Sequence, residues 1–253
     1  MVLTSTDELN GAPTGYTLSE AAHPWKVFRD AGHVVDFASP QGGTPPIDPN
    51  SETDEITEQY QQDATVQAGL ANTAKLEFVE PAQYDAIYLV GGHGTMADFR
   101  GNEHLARLVS RMADGGSVVS AVCHGPAGLL DVELANGLRI VEGKKVSAFT
   151  DSEETEIGLA EAMPFLLSSE LEAQGANLQQ AENWAEQVSV DDLLVTGQNP
   201  ASAAGVAKEV VKILTSLVRE EKAAEQAAAE TLRDEKDAEK ESAEQDKEKP
   251  AAE

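Results

Sequence analysis

Short apolar runs alternate along this chain with segments whose apolar positions recur every three or four residues. Val34-Val35-Asp36-Phe37-Ala38 predicts a strand, preceded by a helix over Pro24–Ala31. Ala86-Ile87-Tyr88-Leu89-Val90 is almost uninterrupted in its apolar character and stops at Gly91-Gly92, the pattern of a strand buried on both faces. A helix is predicted from Glu103 to Ala113, with Asn102 as N-cap and Gly115-Gly116 as its stop. Ser117 to Val122 predicts a second buried strand, Val146-Ser147-Ala148 a further candidate, and Leu193-Leu194-Val195-Thr196 a late one. The last helix opens at Asn199-Pro200 and places Val206, Val210, Ile213 and Leu217 on one face. Strands alternating with helices predict an α/β fold built on a mainly parallel sheet.

Two stretches break this rhythm. Residues 41–75 read as a loop followed by polar helix, too long for a plain connection, and are expected to form a small cap over the sheet's edge. Ser152 to Gln174 reads as a second helical excursion, broken at Pro164. The end of the chain differs again. Residues 219–253 contain nine alanines and a single leucine, with no valine, isoleucine or aromatic residue, so they cannot bury enough surface to fold as a domain. The expected organisation is one α/β domain over residues 1–218 and an acidic, Ala/Glu/Lys-rich tail over 219–253.

Charge narrows the possible partners. The chain of 253 residues carries 18 Lys and Arg against 45 Asp and Glu, a net charge of −27. The tail accounts for −6 of this, so the body is strongly acidic as well. Such a surface excludes nucleic acid as a main partner and disfavours anionic membranes. It also suits a high-salt environment, where screening relieves self-repulsion. No apolar run approaches a membrane span, and the first residues carry neither a basic region nor a long apolar stretch, so a cytoplasmic location is expected.

The candidate chemistry centres on the one cysteine, which by itself excludes an intramolecular disulfide and a cysteine-based zinc site. In Ser117-Val118-Val119-Ser120-Ala121-Val122-Cys123-His124-Gly125-Pro126 a buried strand ends at Cys123, and small residues and a proline then open a predicted helix. That is the layout of a nucleophile elbow, in which the turn projects the side chain, the helix N-terminus favours thiolate and backbone N–H groups face an oxyanion. A lone cysteine is otherwise often a small core residue. Gly91-Gly92-His93-Gly94-Thr95, at the end of another buried strand, offers close backbone approach, or simply a tight turn.

The five histidines are His23, His33, His93, His104 and His124, and none follows His124. A base for Cys123 therefore comes from His124 itself or from upstream. His23 beside Pro24 reads as a helix-start residue, His33 as part of a turn and His104 as a helix-surface residue. No pair has the spacing of a helical zinc motif, so no metal is expected. Asp151, Glu153 and Glu154 are candidates for the acid that orients an imidazole, each equally readable as a helix N-terminal carboxylate. Glu20 is a separate acid that sequence alone does not place near Cys123.

Five motifs occur in a telling order: Gly15 to Glu20-Ala21-Ala22-His23-Pro24, Val35-Asp36-Phe37-Ala38-Ser39-Pro40, Gly91-Gly92-His93-Gly94-Thr95, Ala121-Val122-Cys123-His124-Gly125-Pro126 and Thr196-Gly197-Gln198-Asn199-Pro200-Ala201-Ser202. Together, over roughly residues 1–217, they resemble the DJ-1/PfpI superfamily and its Hsp31-like branch. The resemblance implies a flavodoxin-like parallel-sheet sandwich with a small helical cap. It implies a cofactor-independent glyoxalase of the glyoxalase III type, taking small α-oxoaldehydes such as methylglyoxal to 2-hydroxy acids. Holdase chaperone or protein deglycase activity and cysteine redox sensing are alternatives. By position it makes Cys123 the nucleophile, His124 its histidine, Glu154 the third member and Glu20 the buried acid beside the sulfur. Gly92, with His93, falls at the oxyanion and substrate-binding turn. It also implies that Val2-Leu3-Thr4 is a short first strand, that a homodimer is the common assembly and that the charged tail lies outside the family pattern.

Overall fold

In the computed structural model, which describes residues 1–247, most of the apolar runs join one sheet, while of the candidate strand Val146–Ala148 only Val146 is strand, in Lys145–Val146, which pairs apart from it with Asn177–Leu178. The centre of the main sheet is a four-stranded array in the order Ala86–Leu89, Val118–Val122, Leu194–Gly197, Val188–Asp191. The first three strands are parallel, with Leu89 opposite Ala121 and Gly197 opposite Val122, and the fourth is antiparallel. Val2 bridges in parallel to both Leu89 and Ala38, and Ala38–Ser39 pairs in turn with Ala74–Lys75. The N-terminal segment thus fills the position beside Ala86–Leu89, donating from Val2 to the Tyr88 carbonyl at 2.9 Å.

Alternation of side chains across these strands makes the sandwich. Ile87, Leu89, Val119, Ala121 and Leu194 enter one core cluster with Leu105, Leu108, Val109 and Met112 of the helix Glu103–Asp114. Those four are the buried positions of that helix, at i, i+3, i+4 and i+7. Tyr88 points the other way and meets Phe28 edge-on at 5.8 Å. Phe28 belongs to the helix Leu18–Asp30, which buries Leu18, Ala21, Ala22 and Trp25 as well. The architecture is the flavodoxin-like α/β sandwich.

Several predicted elements are corrected. Of the run 34–38 only Ala38 is strand, in the two-residue Ala38–Ser39, and Val34 is 92% exposed. The neighbouring edge strand is just two residues long, so the β-branched side chains before Ala38 have no partner. The helix predicted from Pro24 starts at Leu18 and carries Pro24 inside it, so His23 is a mid-helix residue that bonds Asp54 at 2.7 Å. Residues 41–75 do contain a loop and two helices, Glu55–Gln62 and Ala64–Ala71. They pack on the helix Leu18–Asp30, through Tyr60 against Trp25 at 5.4 Å, and Ala74–Lys75 is itself part of the sheet. After Asn199 a short 3-10 turn, Pro200–Ser202, precedes the final helix Ala203–Lys247.

The chain divides into two compact units after Lys212. The first contains every strand among the described residues, and the second, from Ile213, is helix as far as Lys247. The last residues assigned to the acidic tail, 248–253, lie outside the described ones. Among the described residues no helix is long and apolar enough to cross a membrane.

Candidate active site

Cys123 follows directly on the strand Val118–Val122 and has φ +58°, a left-handed conformation that a side-chain-bearing residue adopts at a cost. Two hydrogen bonds hold it there. Its N–H donates to the Gly197 carbonyl of the adjacent strand, and its carbonyl accepts from Phe149 N–H, both at 2.9 Å. The segment after it is a 3-10 turn, Gly125–Leu129, where the sequence predicted an α-helix. Pro126 and two glycines in five residues explain the difference, and the α-helix N-terminus expected beneath the sulfur is replaced by this turn. Burial pushes the Cys123 thiol well above its usual range and the adjacent Glu20 pushes the same way, against the pull of His124 N–H.

His124 lies within the relay that the sequence anticipated in part. Its Nδ1 is 3.3 Å from Cys123 Sγ, and its Nε2 is 2.7 Å from Glu154 Oε2. Burial, then the nearby His93, lowers the His124 pKa to about 4 against the opposing effect of Glu154, so the ring is neutral at pH 7. A neutral ring that donates Nε2–H to Glu154 presents the Nδ1 lone pair to the thiol. Phe149 stacks against this ring with centroids 4.4 Å apart.

Glu154 sits on the short helix Asp151–Glu156, which Thr150 caps in a reciprocal capping box with Glu153. Its second oxygen, Oε1, is 2.9 Å from His93 Nε2. Burial works to raise the Glu154 pKa, but hydrogen bonds from His124 and then His93 outweigh it and hold the carboxyl at about 2. One carboxylate therefore anchors two imidazoles, whose ring centroids are 4.2 Å apart.

Glu20, on the helix Leu18–Asp30, is fully buried. Neither of its oxygens makes a regular hydrogen bond, although the Cys123 thiol, Thr17 and Gly91 N–H are its polar neighbours. Burial raises its pKa to about 8, against the opposing effect of those neighbours. Gly92 turns the chain with φ +112°, and a side-chain carbon there would lie 2.5 Å from the Gly15 carbonyl oxygen.

The six residues that the resemblance assigns, Cys123, His124, Glu154, Glu20, Gly92 and His93, fall in one neighbourhood at the carboxyl ends of the strands, whereas the candidate acid Asp151 accepts from Ser168 and Ser169 instead. Two features were not legible. His93 is bonded to Glu154 through its ring, a pairing across 61 positions that no spacing rule reveals. The fold also assembles a possible metal-ligand set, since His93, His124 and Glu154 bring ligand atoms within 4.8 Å of one another. Sequence spacing showed no such set because the three come from separate segments, and here their facing atoms are engaged in hydrogen bonds to one another.

The DJ-1/PfpI family model matches residues 12–213, and the chain belongs to that family. It is 32% identical to "Glyoxalase 3" of Candida albicans, over 83% of this chain and 95% of that protein. It is also 32% identical to the glutathione-independent glyoxalase HSP31 of Saccharomyces cerevisiae, over 85% of this chain and 96% of the relative. The crystal structure of glyoxalase III from C. albicans superposes with a TM-score of 0.78 over 84% of this chain and 95% of that one. The Rapid Encystment Protein 24 kDa of Francisella tularensis, 36% identical, gives 0.81 over 85% and 97%.

Proposed function

We propose that this protein is a glutathione-independent glyoxalase, an enzyme that converts methylglyoxal and similar small α-oxoaldehydes to 2-hydroxy acids with Cys123 as nucleophile. The observation that carries the reading is the continuous relay from Cys123 Sγ through His124 to Glu154, at 3.3 and 2.7 Å. The curated names of the relatives support the same chemistry.

In this mechanism His124 Nδ1 takes the thiol proton as sulfur attacks the aldehyde carbon, giving a hemithioacetal. The carbonyl oxygen becomes an oxyanion within reach of the backbone N–H groups of Gly92 and His124. A proton then leaves the former aldehyde carbon and returns to the neighbouring carbon through an enediolate, which converts the hemithioacetal to the thioester of a 2-hydroxy acid. Water attacks the thioester carbonyl, releasing the acid and restoring the thiol. Glu20, protonated below about pH 8, faces the sulfur and can hold a proton against it while the substrate is bound. Cys123 is only 3% exposed, which favours substrates as small as methylglyoxal.

The test is release of lactate from methylglyoxal by the purified chain with no thiol added. Turnover by the wild type and none by Cys123→Ala is the expected outcome. Turnover that survives Cys123→Ala refutes the reading. Suppression of client aggregation by a protein that produces no lactate points to a holdase instead.

A further inference from the structure

A fully buried carboxyl next to Glu154 has no part in that mechanism. Glu153 is 0% exposed, and five donors converge on it. Thr150 N–H and Thr150 Oγ1 reach Oε2 at 3.0 and 2.9 Å. Trp184 N–H, Gln198 Nε2 and Asn199 Nδ2 reach Oε1 at 2.9, 3.1 and 2.8 Å. The two amides cannot be turned round. Gln198 Oε1 accepts from Ala181 N–H at 2.9 Å, and Asn199 Nδ2 also donates to the Ala185 carbonyl at 2.9 Å, so both NH2 groups face Glu153. Burying a carboxyl is costly unless its oxygens are satisfied, and this one is satisfied only by its own helix cap and by two other segments.

Those segments close a ring. Cys123 N–H bonds Gly197 O, the residue before Gln198 and Asn199. Gln198 and Asn199 bond Glu153, its neighbour Glu154 bonds His124, and His124 reaches back to Cys123. The helix Asp151–Glu156 is six residues long, too short to hold its own place, so its side chains take their position from such ties.

We propose that Glu153 is a positioning residue of the active site. Gripped by Gln198 and Asn199, it sets the place of Glu154 and so the aim of His124 at Cys123. The proposal rests on the reading of this relay as catalytic. It gives the Gln198-Asn199 pair a task, and it makes glutamine a poor substitute at 153. Four of the five partners are N–H groups that cannot accept, one at Oε2 and three at Oε1, so an amide NH2 meets at least one of them whichever way it turns.

The experiment is a double-mutant cycle between Glu153→Gln and Glu154→Gln, on protein shown to be folded by its melting transition. Glu153→Gln alone is expected to lower kcat about 10- to 100-fold, as displacements near 1 Å do, with KM changed less than about threefold. In the Glu154→Gln background the same change is expected to cost less than about threefold, because its effect passes through Glu154. Equal fold-losses in both backgrounds, or an unchanged kcat, overturn the proposal. Should Glu153→Gln fail to fold, Asn199→Ala removes one donor of five and is run through the same cycle, with a smaller loss that must also vanish when Glu154 is glutamine.

Alkylation of Cys123 by iodoacetamide gives a second readout that needs no substrate, and the chain has no other cysteine to confuse it. The alkylation rate is expected to show the same non-additivity. That pattern in a protein that does not consume methylglyoxal supports the positioning role while refuting the proposed reaction, and additive alkylation rates overturn the positioning role itself.

Discussion

Glu20 reaches Cys123 across Gly91: a side-chain carbon built on that glycine would lie 2.2 Å from Glu20 Oε2 and 2.9 Å from Cys123 Cβ. It would also lie 2.6 Å from the Val122 carbonyl oxygen, which is backbone and cannot move aside. The bare Cα at 91 is therefore what lets the acid and the sulfur share one pocket. Gly91→Ala is expected to lower turnover at least about 100-fold through displacement of either group. A variant with near-wild-type kcat/KM would show that the acid and the sulfur need not be this close.

Glu20 also sets a pH dependence of stability. Its pKa rises from 4.5 to about 8 on folding, so between those values the folded state binds the extra proton. Stability from this group is complete below about pH 4.5, declines as pH rises and is fully lost above about pH 8. Glu20→Gln removes that decline. The variant is expected to melt several degrees above wild type at pH 8.5 and to converge on it near pH 4.5, while retaining only a trace of activity. Thermal melts of the two proteins across this range decide the point, and parallel pH profiles would count against it.

Much of this site was legible because its parts are local. The strand that stops at Cys123, the adjacent His124 and the glycines at 91 and 92 each announce themselves within a few residues. Glu154 and Glu20 required the family resemblance, since nothing in their own surroundings points to a cysteine more than thirty or a hundred positions away. The second histidine on Glu154 and the donors around Glu153 were not legible at all, because they arise from four segments meeting in space. Local propensity also misled. Val34-Val35 has the side chains of a strand but no neighbour to pair with, and the turn after Cys123 has the glycines and proline that keep it from becoming an α-helix.

The acidic surface leads to a salt prediction. With a net charge of −27, like charges repel across the folded chain more strongly than across an expanded one. The Debye length falls from about 30 Å at 0.01 M to about 3 Å at 1 M salt, which removes most of that repulsion. The melting temperature is expected to rise by several degrees over this range. A flat or falling profile would mean that the charges are already balanced locally.

For the tail, we propose that residues 219–253 are dispensable. Their composition offers no apolar face to bury, and Val218, just before them, is 49% exposed. Truncation after Val218 is expected to change the melting temperature by less than about 2 °C, well within the effect of 1 kcal/mol on a domain of this size. A fall much larger than that would assign the tail a structural role.

Ranking the relay by substitution tests the whole site. Cys123→Ala is expected to abolish methylglyoxal turnover, because no other thiol exists in the chain. His124→Ala removes the group 3.3 Å from the sulfur and is expected to leave a trace, in line with the roughly 10²- to 10⁴-fold value of a general base. Glu154→Gln is expected to do less damage, since the amide keeps an oxygen for one imidazole and forms no bond with substrate. It does lose one of its two acceptors, so His93 and His124 must compete for the one that remains. Treatment with EDTA is expected to leave wild-type turnover unchanged, because the facing atoms of His93, His124 and Glu154 already satisfy one another. Loss of activity in EDTA that zinc restores would instead assign those three side chains to a metal, and with it the order of the substitutions would change, Glu154→Gln then costing as much as His124→Ala.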